Sequence, residues 1–416
     1  MKIFKIIYNK KKILLLASIF FPISMFLILI SRIFSIKKNF KFLPVSFSRI
    51  ANIYPLFWLL KIKEVKIQDN TKYLFFVQDN TKYNKTWFKL WDRKVKFLIF
   101  SEIWKQFFTL SKFFPGHNKI ALTNFDEFLH NLYLSKVNQK KLEVFNQDEL
   151  KQISETRKIF LNFNEDERLF GKKYLEEMKI KEFNYICFHS RDSAYLKFYN
   201  NKIDWSYHNF RDSNIDNYLP AMESLTNEGF SCLRMGSKVE KGIKTNNSKI
   251  IDYAMSESQS DFLDIFLASK CFMAVYSESG ISVIPEIFNR PIVYVNWPAV
   301  NFSCFNHDSL VIPKKFFSEE KKRLLTFSEI IELNLEKSFK TETLNNLGIN
   351  LIENTPEEIS SAVNENIKRI KQEWIDDQES IDLQKKFWSL FNYSYVKSPS
   401  FKIGSSFLKE NQNLLK

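Results

Sequence analysis

The chain has 416 residues, 45% of them hydrophobic, and a formal net charge of +14. That length accommodates two domains of ordinary size, and that apolar content excludes wholesale disorder. The surplus of Lys and Arg invites a polyanionic partner, yet the lysines are scattered and no basic patch interleaved with aromatics marks a nucleic-acid groove. Abundant Lys, Asn, Ile and Phe beside only 8 Gly trace the charge to a biased codon supply. Cys187, Cys232, Cys271 and Cys304 have no metal-ligand spacing, and the 5 His form no H-x-x-H or H-E-x-x-H cluster. The cysteines read as buried thiols of a reducing compartment, with no metal site.

In chain order, a lysine-rich start precedes an uncharged apolar run from Ile13 to Ile30, interrupted by Pro22. The run is long for a cleaved signal peptide and near the minimum for a bilayer span. It is expected to attach the chain to a membrane, as a single-pass anchor or as a hairpin bent at Pro22. Residues 40–60 are aromatic and basic and are expected to form an interfacial collar. Tyr73–Val77 and Val95–Phe100 have strand character, Lys119–Leu122 is a third candidate strand, and helices are expected within 124–135 and 148–180. A hexapeptide repeated at 68–73 and 78–83 is too short for a solenoid, and His117 reads as a loop residue.

From Tyr185 onward, apolar strand-like runs alternate with helical segments, and the polar chemistry collects at the carboxyl end of each run. Tyr185–Phe188 is followed by His189, Ser190, Arg191 and Asp192. Phe230–Arg234 ends in Arg234 and Gly236, Ile250–Tyr253 contains Asp252, and Cys271–Tyr276 leads into Ser277, Glu278, Ser279 and Gly280. Loops beyond strand carboxyl ends converge on one crevice in an open α/β sheet. Ser260 is placed to cap a helix over 261–269, and Gly229 to end one. Ile292–Asn296 is a further strand and Leu310–Ile312 the last. Residues 314–345 are charge-rich and expected to be peripheral. Thr355-Pro356-Glu357-Glu358 opens an amphipathic helix, a second helix is expected over 379–391, and the tail is apolar enough to be structured.

The chemistry follows from the residue types. Ser277-Glu278-Ser279-Gly280 before a helix suits an anion, since free N–H groups and the dipole favour negative charge there. Arg191 and Arg234, with Arg211 as a third candidate, present guanidinium forks to a diphosphate. Each arginine also reads as one half of a surface ion pair, Arg211 more so than Arg191. Asp252 and Glu286 are candidate hydrogen-bond acceptors for ribose or base, and His189 a candidate acid or base or an inward structural hydrogen-bonder.

These segments together carry a resemblance. HSRDSAYL (189–196), FRDSNIDNYLPAMESLTNEGF (210–230), RMG, IIDYA, DFLDIFLASKCF, SESG, PEIFNRP and the terminal IGSSFLKEN are similar to a bacterial family of glycosyltransferases, over about the last two thirds of the chain. The His-x-Arg of His189 and Arg191 also resembles, distantly, the motif of protein O-fucosyltransferases, but Asp192 and Ser193 stand where that motif often has glycine. The resemblance implies a GT-B-like α/β fold, with two Rossmann-like domains facing across a cleft. The expected division is an anchor and collar over 1–60, an acceptor domain over 61–180, a nucleotide-sugar domain over 181–315 and packing helices over 316–416. It further implies metal-independent transfer of a sugar from a nucleotide sugar to a surface glycan or lipid-linked precursor, on the cytoplasmic face of a membrane. The donor is a co-substrate, and no cofactor is expected. The expected catalytic residues are His189, Arg191 and Asp192. The expected donor-binding residues are Arg234, Gly236, Asp252, Ser277, Glu278, Ser279, Gly280 and Glu286. A membrane scaffold without catalysis, and an epimerase or phosphohydrolase on the same sheet, remain rival readings. An NAD enzyme is disfavoured because no strand is followed by G-x-G-x-x-G.

Overall fold

The computed structural model describes residues 22, 25–26, 28–30, 40–65, 71–77, 84–99, 101–112, 152–153, 155–298, 308–335, 340–391 and 401–416. The chain divides into two compact units, Met1–Phe145 and Asn146–Lys416.

In the first unit, β1 (Phe40–Val45) and β2 (Lys72–Val77) pair in parallel from Phe40↔Lys72 to Val45↔Val77. The helix Tyr54–Val65 connects them, because parallel neighbours need a crossover. Residues 40–60, expected as an interfacial collar, form a strand, a 3-10 turn and the start of a helix whose apolar side chains are partly core. Leu43, Ile53, Phe57 and Trp58 are at most 1% exposed. Lys61 is buried with its ammonium 5.0 Å from the Trp58 ring, where the ring's negative face offsets part of the charge's desolvation. Ile28, inside the expected membrane segment, packs into a cluster with Phe42, Phe76, Phe107 and Phe108. No helix among the described residues is long and apolar enough to cross a membrane, and most of 13–30 lies outside them.

The expected strand Val95–Phe100 is also corrected. Val95 closes the helix Lys85–Val95, which Asn84 caps by accepting from the Trp87 N–H at 2.8 Å. Lys96 takes φ of 57°, and Asp92 accepts from the Phe97 N–H at 3.1 Å, so the capping turn overrides strand propensity. His117, residues 119–122 and residues 124–135 lie outside the described residues.

The second unit is an α/β body around a large parallel sheet. Its strands are β3 (Tyr185–His189), β4 (Ser231–Arg234), β5 (Ile250–Ile251), β6 (Met273–Tyr276), β7 (Ile292–Trp297) and β8 (Leu310–Pro313). After these come β9 (Lys315–Ser318), β10 (Arg323–Leu324), β11 (Ile349–Ile352) and β12 (Lys402–Ile403). Seven strands form the sheet in the order β12-β8-β7-β6-β3-β4-β5, every neighbouring pair parallel. The buried runs of β3, β6 and β8 are continuous because helices and loops cover both faces. The sheet does not end at β8 as expected, since the tail adds β12 beside it.

Local signals explain the crossovers. Ser260 accepts from the Leu263 N–H and starts the helix Asp261–Lys270. Gly229, at φ of 93°, ends the helix Leu219–Asn227. Thr355 and Glu358 make a capping box on Pro356–Ile370, and Gln378–Ser389 follows. Two expected boundaries move. The helix Glu165–Glu177, placed in sequence with the first domain, sends Leu175 into the second unit's core. The described residues of 314–345 are not all peripheral. Phe316, Leu325, Phe327, Ile330 and Leu344 join the same core, and β9 pairs antiparallel with β10 and β11. Their apolar residues are spaced among charges, which hides a buried face in the average composition.

Candidate functional site

The strand order reverses at β3. The chain leaves β3 for β4 and β5 on one side, then returns to its other side at β6 and continues to β7 and β8. A crevice opens at such a reversal, outside the strand carboxyl ends, because the two departing loops run in opposite directions. Residues 189–192 and 277–280 are the two loops that flank it.

They are stitched together by backbone. The Ser277 N–H donates to the His189 carbonyl at 3.0 Å, and the Arg191 N–H donates to Ser277 Oγ at 2.8 Å. Ser277 is fully buried, so it braces the crevice floor. Below it, Ser190 donates to the Ser213 carbonyl, and Ser213 Oγ lies 3.0 Å from the Tyr218 hydroxyl. Asn296 donates to that hydroxyl at 3.3 Å; its N–H donates to Asn354 Oδ1 at 2.6 Å, and the Asn354 N–H donates to Asn296 Oδ1 at 2.7 Å. A satisfied buried network of this kind rigidifies the strand ends above it.

Arg191 is buried. Its Nη1 pairs with Asp212 and donates to the His208 carbonyl at 3.1 Å, while the Ser213 N–H donates back to the Arg191 carbonyl at 3.0 Å. The 3-10 turn Ser206–Arg211 is thus drawn over the end of β3. It delivers Arg211, whose Nε stands 3.7 Å from Glu278 Oε2. That is an ion pair, but too long for a hydrogen bond. Arg211 Nε, Glu278 Oε2 and Ser279 Oγ are all buried atoms without a hydrogen-bond partner. Buried polar atoms are nearly always satisfied, so these three, on the segments that flank the switch point, leave hydrogen-bonding capacity open to a ligand.

His189 donates through Nδ1 to the Met235 carbonyl at 3.0 Å, since a carbonyl only accepts; Nε2 is left as an acceptor. Burial pulls its pKa down to about 4, Arg234 and Arg191 add to the pull, and the Met235 carbonyl opposes it. The ring is neutral near pH 7 and suits hydrogen-bond acceptance better than proton abstraction. Gly236, at φ of 148°, lets this turn close. A Cβ there would stand 2.9 Å from Val239 Cγ1 and 3.7 Å from His189 Nδ1.

Other expected residues are placed differently. Asp192, expected to be catalytic, has one carboxylate oxygen held by the Ala194 N–H at 3.0 Å and the other by the Glu240 N–H at 2.9 Å, so it is a loop anchor. Arg234 and Asp252 pair with each other at 3.2 Å, and Asp252 also accepts from the Ile243 N–H at 2.8 Å. Arg234 Nε is a further buried donor without a partner, yet the side chain is only 1% exposed, against 22% for Arg211 and 23% for Glu278. A diphosphate reaches Arg211 more readily than Arg234. Glu286 is 3% exposed and takes a 3.4 Å hydrogen bond from Tyr294 on β7, which makes it an interior residue. Gly280 is exposed on the loop. The helix after it is one 3-10 turn, Gly280–Ser282, and then only Val283–Ile287, so its dipole contributes little and positive charge must come from side chains.

Sequence reasoning missed Lys314. It follows β8, is 3% exposed, and donates to the Phe210 carbonyl at 3.2 Å and the Asp212 carbonyl at 2.6 Å. Burial pulls its pKa down to about 8, opposed by Glu353 and Glu278 and reinforced by Arg191. The available signal was its place directly after an apolar strand, the same position that marked the other residues. Cys187, Cys232 and Cys271 are buried free thiols, and Cys304 lies outside the described residues. Among the described residues no group of three His, Cys, Asp or Glu side chains is placed to hold a metal.

No protein-family model matches the chain, and no curated protein matches it. Among solved structures it is similar to the E. coli ADP-heptose LPS heptosyltransferase II, at 12% identity and a TM-score of 0.36, over 65% of this chain and 90% of that one. It is also similar to the E. coli heptosyltransferase WaaC with ADP-2-deoxy-2-fluoro heptose, at 10% identity and a TM-score of 0.31, over 68% of this chain and 94% of that one. Identity this low transfers no residue from those enzymes to this chain.

Proposed function

We propose that the chain is a glycosyltransferase that takes a sugar from a nucleotide-sugar donor whose diphosphate lies over the β3–β6 switch point. The observation that carries this reading is the group of unpartnered buried atoms, Arg211 Nε, Glu278 Oε2 and Ser279 Oγ, beside the buried cation Arg191. A diphosphate accepts from Arg211 and Ser279, and a sugar hydroxyl donates to Glu278. In transfer, the bond from the anomeric carbon to the β-phosphate oxygen breaks, a bond to the acceptor oxygen forms, and the acceptor hydroxyl's proton passes to the departing diphosphate or to water. The leaving diphosphate keeps the electron pair, and guanidinium groups stabilise the charge it gains. The acceptor is a surface glycan or lipid-linked precursor, a finer statement that rests on the sequence resemblance. The expectation that the chain attaches to a membrane through residues 13–30 stays part of the proposal.

The test is a thermal-shift panel of UDP, GDP, CMP, ADP and dTDP on wild type, Arg191→Ala and Arg211→Ala. A ligand at a hundred times its dissociation constant stabilises by about 2.7 kcal/mol. One nucleotide is expected to stand out on wild type and lose its effect in Arg211→Ala. A wild type that answers none of them sinks the reading in favour of a non-catalytic scaffold.

A further inference from the structure

Arg211 is exposed enough to meet a ligand, and the side chain of its own turn that its guanidinium meets is Phe210, whose ring centre is 6.0 Å away. The turn Ser206–Arg211 has no side-chain cap, and its start, Ser206–Tyr207, is exposed. What holds the turn comes from elsewhere in the chain. Lys314, at the carboxyl end of β8 and about a hundred residues downstream, donates to the carbonyls of Phe210 and Asp212, the two residues that flank Arg211. The two carbonyls converge on one ammonium, so the Arg211 backbone is clamped on both sides. Arg191 holds the same segment from below through the His208 carbonyl and the Asp212 carboxylate, and Thr341 Oγ1 accepts from the Phe210 N–H at 3.2 Å.

We propose that Lys314 is a positioning residue of the site: by clamping the carbonyls on either side of Arg211, it fixes the direction in which Arg211 meets Glu278 and the ligand. The statement about the ligand rests on the function proposed above; the statement about the turn does not. A buried ammonium is costly unless its donors are used. Lys314 offsets that cost through two carbonyls and through the facing carboxylates of Glu353 and Glu278, while Arg191 repels it. An apolar residue of similar length fills the same space without reaching either carbonyl. An arginine keeps both the donors and the charge.

The experiment is hydrogen–deuterium exchange on the full chain, comparing wild type with Lys314→Met, Lys314→Gln and Lys314→Arg. The amides of Phe210, Asp212 and Ser213 are followed against those of Cys232–Arg234 on β4. Lys314→Met is expected to speed exchange in 210–213 at least tenfold with β4 unchanged, Lys314→Gln to fall between, and Lys314→Arg to restore wild-type protection. Equal protection of 210–213 in wild type and Lys314→Met, or in wild type and Lys314→Gln should the methionine variant not fold, overturns the proposal. Faster exchange spread equally over β4 overturns it too, since that is general destabilisation. Nucleoside diphosphate binding is measured on the same samples and is expected to weaken about tenfold in Lys314→Met and recover in Lys314→Arg. A wild type that binds no nucleotide sinks the glycosyltransferase reading and leaves the exchange result to decide the clamp.

Discussion

Two neighbouring places on one sheet use the same parts to opposite ends. At the carboxyl ends of β4 and β5, Arg234 meets Asp252 at 3.2 Å, the Ile243 N–H completes the carboxylate, and the arginine, its Nε still without a partner, is only 1% exposed. At the ends of β3 and β6, Arg211 meets Glu278 at 3.7 Å, and both are left with unpartnered buried atoms. The difference lies in topology. β4 and β5 are consecutive in the chain, so the segment joining them folds over their own ends and closes the space. β3 and β6 are neighbours in space only, and their outgoing loops run apart. An arginine–carboxylate pair is therefore hydrogen-bonded on one side and left longer than a hydrogen bond a strand away.

That contrast can be broken or sharpened by substitution. The largest effect belongs to the Arg234–Asp252 pair. Arg234→Met leaves Asp252 with only the Ile243 N–H and solvent, and is expected to cost about 2–3 kcal/mol in urea denaturation, with nucleotide affinity of the folded fraction unchanged. A loss below about 1 kcal/mol would remove the structural assignment. His189 comes next. Its folded pKa of about 4 lies below the ordinary value of 6.5, so the unfolded chain takes up a proton first as pH falls. The stability present above pH 6.5 is lost as pH drops to 4, at up to about 1.4 kcal/mol per pH unit, and about 2 kcal/mol in all once the ring's partial exposure is discounted. Urea titrations at pH 7, 5.5 and 4.5 should show that extra loss in wild type and its absence in His189→Asn.

On the open side, Arg211→Ala is expected to weaken nucleoside diphosphate binding at least tenfold, about 1.4 kcal/mol, while stability changes by less than about 1 kcal/mol. Isothermal titration on a variant with an unshifted melting curve is the decisive comparison. A variant that binds normally moves the ligand elsewhere. The smallest effect is Gly236→Ala. Its positive φ and the 2.9 Å approach to Val239 should lower stability by about 1 kcal/mol, read as a shift in the urea midpoint.

Much of the second unit was legible because its signals are local. β3, β6 and β7 are short apolar runs, and Ser260, Thr355 and Gly229 start or stop helices through atoms three or four residues away. The two loops that flank the crevice were legible for the same reason, since polar residues at strand ends are visible in one dimension. In the first unit one composition serves two environments. The aromatic and basic stretch 40–60 suits a membrane interface or a β–helix–β unit, and the pairing of β1 with β2, with Leu43, Phe57 and Trp58 buried, was not legible in it. Val95–Phe100 failed because a capping turn held by Asp92 outweighed β propensity.

By itself the sequence determined the elements, the alternation that makes an α/β unit, and the polar residues carried at each strand end, because those follow from short-range periodicity and capping. Tertiary structure decided the order of the strands, and with it which charges are satisfied. Arg234 and Asp252 are 18 residues apart and close on each other, Asp192 spends both oxygens on backbone, and Lys314 reaches back to the turn of Arg211. Whether a charged side chain is satisfied or left open depends on which neighbours the fold brings within hydrogen-bond reach, and that information is not local.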